Sequence, residues 1–367
     1  MKILFVYGFF SHGGCETVLY TRQSALLRRG VECHVLFMAP ADANVFNAGT
    51  GMYFSNDAGE ILALLRREDY TVVAVLDCPA FYPLLAAAGF RGTVVAECHT
   101  SNTEYLRYIT ELPLYHYPDA FIVPSPVQAL TLRKIYQIQA PVYVLPNGID
   151  CSLFDYRNVS PAGWPAATPA HSRILGWVGR LEAAKNPLFF LRLAQSLRKE
   201  DQNLQFWLAG GKDFSPLLHQ VKATAVSLGL QEHFRWFPAI PYRRMPEFYS
   251  RLARSGGCLI STSERECYPM ILLEAAACRC PIAATDIAGN RAVITSGYDG
   301  LLYPAGDLTA AARSVAALLN DGKLRERIIA AAYFRTRTDN SAERMAGRLL
   351  ELYRTILAPR KDREDTD

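Results

Sequence analysis

The first third of the chain alternates short apolar runs with segments of helical period. The runs are KILFVY (2–7), ECHVLF (32–37), TVVAVLD (71–77), TVVAECH (93–99), AFIVPS (120–125) and PVYVLPN (141–147). They are rich in Val, Ile and Phe, and their apolar residues follow one another instead of alternating with polar ones. Strands covered on both faces have this pattern. Between the first two runs, CETVLYTRQSALLRR reads as a helix closed by Gly30. Strand, helix, strand, repeated, predicts a parallel sheet with right-handed crossovers. The second half repeats the grammar with ILGWVG (174–179), LQFWLAG (204–210), FRWFP (234–238), GCLIST (257–262), PIAAT (281–285) and LLYP (301–304). The stretch between the halves, NVSPAGWPAATPAHS (158–172), has no period and is dominated by Pro, Ala, Ser and Gly, so it reads as a linker. SAERMAGRLLELYRTIL (341–357) is an amphipathic helix, and the charged tail from 358 to 367 reads as disordered. The expected fold class is α/β with two doubly wound domains, over 1–157 and 173–340.

Composition narrows the class without deciding it. A chain of 367 residues exceeds what one core usually supports, in agreement with two domains. Half of it is hydrophobic and a fifth charged, as in an ordinary soluble globular protein. A net charge of +4 gives no argument for a nucleic-acid partner. The nine cysteines form no C-x-x-C pair and no cluster with histidine at zinc spacing, so reduced thiols in a reducing compartment are expected. MKILFVYGFF is too short for a membrane span and lacks a cleavage region, so it reads as a first strand. The expected location is the cytoplasm.

In doubly wound sheets ligands bind beyond the carboxyl ends of the strands. The residues standing there are Gly13, Gly14, Asp77, His99, Ser125 and Asn147 in the first half. In the second they are Arg180, Gly210, Gly211, Ser263 to Glu266, and Asp286. Two such edges facing each other would line a cleft. The most informative stretch is STSERECYPMILLEAAACRCP (261–281), a strand running into a polar turn with Glu266 and then into a helix containing Glu274. Pro269 suits the first turn of that helix, whose amides would form an anion site. If the helix starts near Glu266, Glu274 lies about two turns on. A carboxylate accepts two coplanar hydrogen bonds, which fits adjacent sugar hydroxyls. Alternatively, Glu266 serves the helix dipole and Glu274 the surface. Upstream, GWVGRLEAAKNP (176–187) places Arg180 and Lys185 after a strand, two cations suited to a diphosphate. Alone, that spacing describes a solvated loop.

Together these segments carry a resemblance. GRLEAAKNP, ERECYPMILLE, AAACRCPIAATDIAGN and DGLLYPAGD are similar to the nucleotide-sugar domain of glycosyltransferase family 4, which comprises retaining enzymes of the GT-B fold. GFFSHGGCETVL resembles the family's N-terminal glycine loop, VLPNGIDCSLF its strand-to-linker segment, and GLQEHFRWFPAIPYRRMPEFYS the stretch that wraps the base. The resemblance covers nearly the whole chain and is strongest in the second half. It implies that the final helix packs back toward the N-terminal domain. It implies that Arg180 and Lys185 hold the donor diphosphate, that Glu274 binds the ribose, and that Glu266 contacts the transferred sugar. His99 would lie near the reacting sugar. The implied donor site comprises Gly13, Gly14, Gly179, Arg180, Lys185, Phe237, Pro238, Glu266, Cys267, Tyr268, Pro269, Met270, Ile271 and Glu274. The acceptor-side candidates are Phe9, Phe10, His12, Tyr105 and Asn147. Phe9, Phe10, Tyr53, Tyr82 and Tyr105 would offer a stacking surface, unless they belong to the core. The chain departs from the family at Cys267, at Arg279 where glycine is common, and at Ala292 where an acid is frequent.

The implied reaction moves a hexose from a nucleoside-diphosphate sugar, UDP by family habit, to an acceptor hydroxyl on a carbohydrate, lipid-linked or small molecule. No D-x-D motif follows a strand, so no metal and no other cofactor is expected. An epimerase or phosphorylase of the same fold, and a silent nucleotide-sugar binder, are the alternatives. Action on a lipid at the inner membrane face is a third, although EILALLRRED is short and mixed in charge.

Overall fold

A computed structural model describes residues 1–10, 13–39, 51–157, 171–211 and 216–358. The chain divides into two compact units, residues 1–148 with 342–367, and residues 149–341. The linker reading falls largely outside the described residues, as do His12 and all but the first residue of the tail.

The first unit runs β1 (Lys2–Tyr7), α1 (Gly14–Arg28), β2 (Glu32–Phe37), β3 (Met52–Phe54), α2 (Ala58–Arg67), β4 (Val72–Leu76), α3 (Tyr82–Ala88), β5 (Thr93–Glu97), β6 (Ala120–Val123), α4 (Pro126–Ile135) and β7 (Val142–Val144). All pairings are parallel and the order is β3-β2-β1-β4-β5-β6-β7. The unalternating runs follow from burial on both faces. Leu4, Val6, Val73 and Val75 pack on one side among Phe81, Tyr82 and Leu85. Ile3, Phe5, Val72 and Ala74 pack on the other. Six of the runs coincide with β1, β2, β4, β5, β6 and β7. The three-residue edge strand β3 has too little pattern to be recognised from sequence.

The second unit runs β8 (Arg173–Val178), α5 (Pro187–Glu200), β9 (Leu204–Ala209), α6 (Pro216–Ser227), β10 (Phe234–Phe237), α7 (Met245–Arg254), β11 (Cys258–Ser261), α8 (Met270–Ala277), β12 (Ile282–Thr285), α9 (Ala288–Arg291), β13 (Leu301–Tyr303), α10 (Leu308–Asn320) and α11 (Gly322–Asp339). Its order is β10-β9-β8-β11-β12-β13, again parallel. The last helix, α12 (Ala342–Leu357), is part of the first unit. Its face of Ala342, Ala346, Leu349, Leu350 and Tyr353 joins the core beside Leu19 and Leu26 of α1. Arg28 closes the contact with an ion pair to Glu343 at 2.8 Å.

Each sheet has one place where strand order reverses. In the first it lies between β1 and β4, and in the second between β8 and β11. Diverging crossovers leave a crevice there, beyond the strands' carboxyl ends. The ends also approach closely. Gly210, at φ +117°, follows β9 and would bring a Cβ within 2.1 Å of the Gly179 carbonyl. Only glycine both adopts that φ and leaves room for the loop that follows β8.

Candidate active site

At the β8/β11 reversal, two loops are laced together. The first leaves β8 at Gly179, passes Arg180 and a 3₁₀ turn at Ala183–Lys185, and enters α5 through Asn186. Asn186 is left-handed (φ 49°, ψ 55°) and accepts a hydrogen bond from the Phe189 amide at 3.2 Å. The second leaves β11 at Ser261 and enters α8. Thr262 accepts a hydrogen bond from Trp177 Nε1 at 2.8 Å and donates to the carbonyls of Lys185 and Asn186. The Glu264 amide donates to the Ala184 carbonyl, and Asn186 Nδ2 to Glu264 Oε1, each at 2.8 Å.

This lacing brings Lys185 to Glu266. Lys185 Nζ lies 2.6 Å from Glu266 Oε1, and the Ser263 hydroxyl donates to the same oxygen at 2.7 Å. Ser263 is among the strand-end residues read from the sequence, whereas the backbone contact at Gly289 does not stand out there. A Cβ on Gly289 would lie 2.3 Å from the Glu266 carbonyl oxygen. Gly289→Ala is therefore expected to displace the Glu266 loop and to destabilise the chain by about 1–3 kcal/mol. Denaturant unfolding and turnover measure the two effects, and no change in either would show the loop to be indifferent to α9.

Arg180 does not join that pair. Its side chain is 59% exposed and meets Glu182 at 3.1 Å. The helix start differs from expectation as well. Pro269 is the N-cap of α8, whose first residue is Met270. The turn of Glu266 to Pro269 is not helical, so Glu274 sits just over one turn into α8, not two. No side chain caps α8, which leaves its first amides directed out of the helix.

Glu274 is buried, contrary to the surface alternative. Its Oε2 accepts a hydrogen bond from Tyr249 of α7 at 2.7 Å. Burial pushes its carboxyl up to about 7, and the tyrosine opposes this only in part. Among the other candidates, Cys267 and Ile271 are half-buried, and Met270, Pro269 and Tyr268 are buried. The Tyr268 hydroxyl accepts from Asn340 Nδ2 at 2.7 Å. Phe237 packs against Trp207 and Phe248, with centroids 5.1 and 6.0 Å away, and Pro238 is exposed.

The β1/β4 reversal carries a second constellation. The Gly13 amide, at the start of α1, donates to the Glu16 carboxylate at 3.0 Å. Gly13 has φ −103°, which any residue adopts. Asp77 follows β4 in a left-handed conformation (φ 39°), unfavourable for a non-glycine residue. Its Oδ2 accepts the His99 amide at 2.9 Å, and its carbonyl accepts the Tyr105 hydroxyl at 2.7 Å. Burial raises the Asp77 carboxyl to about 7. Glu97, the last residue of β5, is fully buried. Its Oε2 meets both Arg22 of α1 and His99 Nε2, the latter at 3.0 Å. An acid inside the apolar run TVVAECH was the available signal that an unseen partner must reach it.

The remaining candidates divide between core and surface. Tyr82 is fully buried in the core and offers no stacking surface. Phe10 packs edge-on against Phe37 and Phe54, and Tyr53 against His34. Phe9 remains 54% exposed, and Asn147 is buried. Ser125 caps α4 by accepting from the Gln128 amide, and Asp286 pairs with Arg291 at 2.6 Å.

Two family models cover most of the sequence: Glycosyltransferase Family 4 over residues 12–153 and Glycosyl transferases group 1 over residues 164–335. The chain belongs to glycosyltransferase family 4. It is 28% identical over 259 residues to a D-inositol 3-phosphate glycosyltransferase of Corynebacterium urealyticum, a match spanning 68% of this chain and 60% of that relative. The counterpart from Thermomonospora curvata is 25% identical, with 75% of this chain and 65% of the relative aligned. The chain thus spans less than two thirds of the length of these curated relatives. Among solved structures, a sucrose-phosphate synthase from Thermosynechococcus elongatus matches with a TM-score of 0.78 at 18% identity, covering 98% of this chain and 99% of that one. Anabaena Alr3699/HepE, solved with UDP-glucose, matches with a TM-score of 0.79 at 16% identity, covering 97% and 100%. The fold is accordingly GT-B.

The unusual Arg279 has a local explanation. It is left-handed at φ 55°, and its guanidinium lies 4.6 Å from the centre of the Tyr333 ring on α11. Cation–π packing there offsets the strain that glycine would avoid. Nothing in the structure explains Ala292. No disulfide joins any of the nine cysteines, all of which lie among the described residues, and no described helix is long and apolar enough to cross a membrane.

Proposed function

We propose that the protein transfers a hexose from a nucleoside-diphosphate sugar, UDP-linked by preference, to an acceptor hydroxyl, with retention and without a metal ion. The observation that carries this reading is the lacing of the β8 and β11 loops, which sets Lys185 against Glu266 at the strand-order reversal, beside the uncapped start of α8. The Anabaena neighbour, crystallised with UDP-glucose, supports the donor class.

Breaking a sugar–phosphate bond places negative charge on the departing nucleotide and oxocarbenium character on the ring. Lys185, Arg180 and the α8 amides would stabilise the first. Glu266 would accept from hydroxyls of the sugar, and Glu274 from the ribose through Oε1, since Oε2 holds Tyr249. Inversion needs a base opposite the leaving group, and double displacement needs a carboxylate nucleophile beneath the anomeric carbon. Glu266 and Glu274 are assigned to hydroxyl binding, which leaves departure and attack on one face. The acceptor hydroxyl bonds to the anomeric carbon as the sugar–phosphate bond breaks, and its proton goes to the leaving phosphate.

The anomeric configuration tests the reading. With an α-linked donor, NMR early in the reaction is expected to show an α-linked product, and a β-linked product would refute front-face transfer. Donor choice is read from a thermal-shift screen of UDP-, GDP- and ADP-sugars, where ligand at about 100 times its Kd stabilises by roughly 2.7 kcal/mol. Turnover is expected to persist in EDTA, because protein cations fill the role a divalent ion plays elsewhere. Loss on chelation, restored by Mg²⁺ or Mn²⁺, would overturn that part.

A further inference from the structure

The most unusual chemistry in the first unit is a buried chain of three ionisable side chains. Arg22 in the middle of α1 and Glu97 at the end of β5 have no exposed side-chain surface, and the His99 side chain is 3% exposed. Glu97 Oε2 accepts from both neighbours, Arg22 Nη1 and His99 Nε2. The His99 main chain is held independently, by its amide on Asp77 Oδ2 at 2.9 Å. The ring therefore has one orientation, with Nε2 toward the carboxylate. His99 Nδ1 has no hydrogen-bond partner among the described residues.

This arrangement is a poor device for stability. Arg22 Nε and Nη2 and Glu97 Oε1 are buried with no partner among the described residues. A buried ion pair with incomplete hydrogen bonding seldom outperforms apolar packing of equal volume. Its clear consequence concerns the imidazole. A carboxylate alone would bind the Nε2 proton and draw a second proton onto Nδ1, because it favours the cation. Arg22 cancels that charge. With Arg22 in place, the carboxylate still accepts from Nε2–H, but the pair as a whole is neutral toward the ring. Burial then disfavours imidazolium, and the His99 pKa lies below its ordinary value in spite of Glu97.

We propose that Arg22 and Glu97 are positioning residues that hold His99 as the neutral Nε2–H tautomer, presenting Nδ1 as a hydrogen-bond acceptor to a substrate hydroxyl at the edge of the first sheet. The proposal rests on the reading of His99 as a site residue, and extends it by assigning the nitrogen, the proton and the two residues that set them. The charged and titratable groups facing this centre are Glu97 from β5, Arg22 from α1, Asp77 from the end of β4, and Tyr353 from α12. Asp77 touches the His99 amide, not the ring, so ring resonances separate the two titrations.

Long-range ¹H–¹⁵N NMR of the full chain, with His99 assigned by its loss in His99→Asn, reads the tautomer directly. The expected result at pH 7 is a protonated Nε2 and a bare Nδ1. The Nδ1–H tautomer, or an imidazolium at that pH, would overturn the proposal. Two variants then shift the titration in opposite directions. Arg22→Met leaves the Glu97 charge uncancelled and raises the His99 midpoint, and Glu97→Gln leaves Arg22 uncancelled and lowers it, each by about one pH unit or more. Midpoints that stay in place, or move the same way, would reduce the triad to packing. If one variant does not fold, the sign in the other and the wild-type tautomer still decide. UDP-glucose hydrolysis and transfer, followed against pH, should lose their acid limb at the His99 midpoint and move with it. A variant effect on both reactions assigns the hydroxyl to the donor sugar, and an effect on transfer alone assigns it to the acceptor. Full activity of His99→Asn would remove the site reading, while the NMR outcome would judge the positioning by itself.

Discussion

Lys185→Ala is expected to lower kcat/KM by about a hundredfold or more, the usual cost of deleting one preorganised group that meets developing charge. Its Nζ is the cation that the β8 and β11 loops bring to Glu266, at 2.6 Å. The same substitution leaves a carboxylate that is 9% exposed without its counterion, so a lower melting temperature should accompany the loss. Arg180→Ala should behave differently. Its side chain is 59% exposed, and surface pairs such as Arg180–Glu182 contribute about 0–1 kcal/mol, so the melt should barely change. Turnover should still fall, because an exposed guanidinium at the strand end is within reach of a diphosphate bound there. Steady-state kinetics beside calorimetry separates the cases. Unchanged kcat/KM in both variants would withdraw the diphosphate assignment.

Glu274→Gln is expected to make the protein more stable and a worse nucleotide binder. In the fold, burial raises this carboxyl from its ordinary value of 4.5 to about 7. An acid with a raised folded pKa contributes fully to stability only below the unfolded pKa, and that contribution fades as pH rises from about 4.5 through 7. Above that window the buried charge costs on the order of 3 kcal/mol, which glutamine avoids while still accepting from Tyr249. At pH 8 the variant should therefore melt several degrees higher than the wild type, with the gap closing toward pH 4.5. Titration with bare UDP should show weaker binding. Glu266→Gln should instead lower turnover with little effect on UDP affinity, since that acid is assigned to the sugar. Equal loss of UDP affinity in both variants would overturn the division of roles. A gap between the Glu274→Gln and wild-type melts that does not vary with pH would show that Glu274 is not held near neutrality.

Most of the architecture is legible in the pattern alone. Unbroken Val, Ile and Phe runs predict buried strands, and the structure places a strand at each of the twelve predicted runs, although the edge strands β7, β10 and β13 are only partly buried. The exception, β3, is a three-residue edge strand whose pairing with β2 depends on its neighbour more than on its own composition. Helix starts are less legible. The first turn of a helix depends on which amides find other partners, so Pro269 could be placed near the start of α8 but not assigned as its cap.

The sequence by itself determined which residue types stand at the strand ends: Arg180, Lys185, Glu266, Asp77 and His99 follow from counting along each run. Which of them meet was decided by tertiary structure. Lys185 and Glu266 are separated by 81 positions, yet they touch because β8 and β11 are neighbours and Thr262 ties their loops together. Arg180, closer to Lys185 in the chain, turns instead to Glu182. Glu97 and Arg22 are 75 positions apart and meet because α1 lies across the sheet face that Glu97 enters. Periodicity reports whether a side chain faces a core. It carries no information about the partner across that core, because the partner is set by crossover topology and not by spacing along the chain.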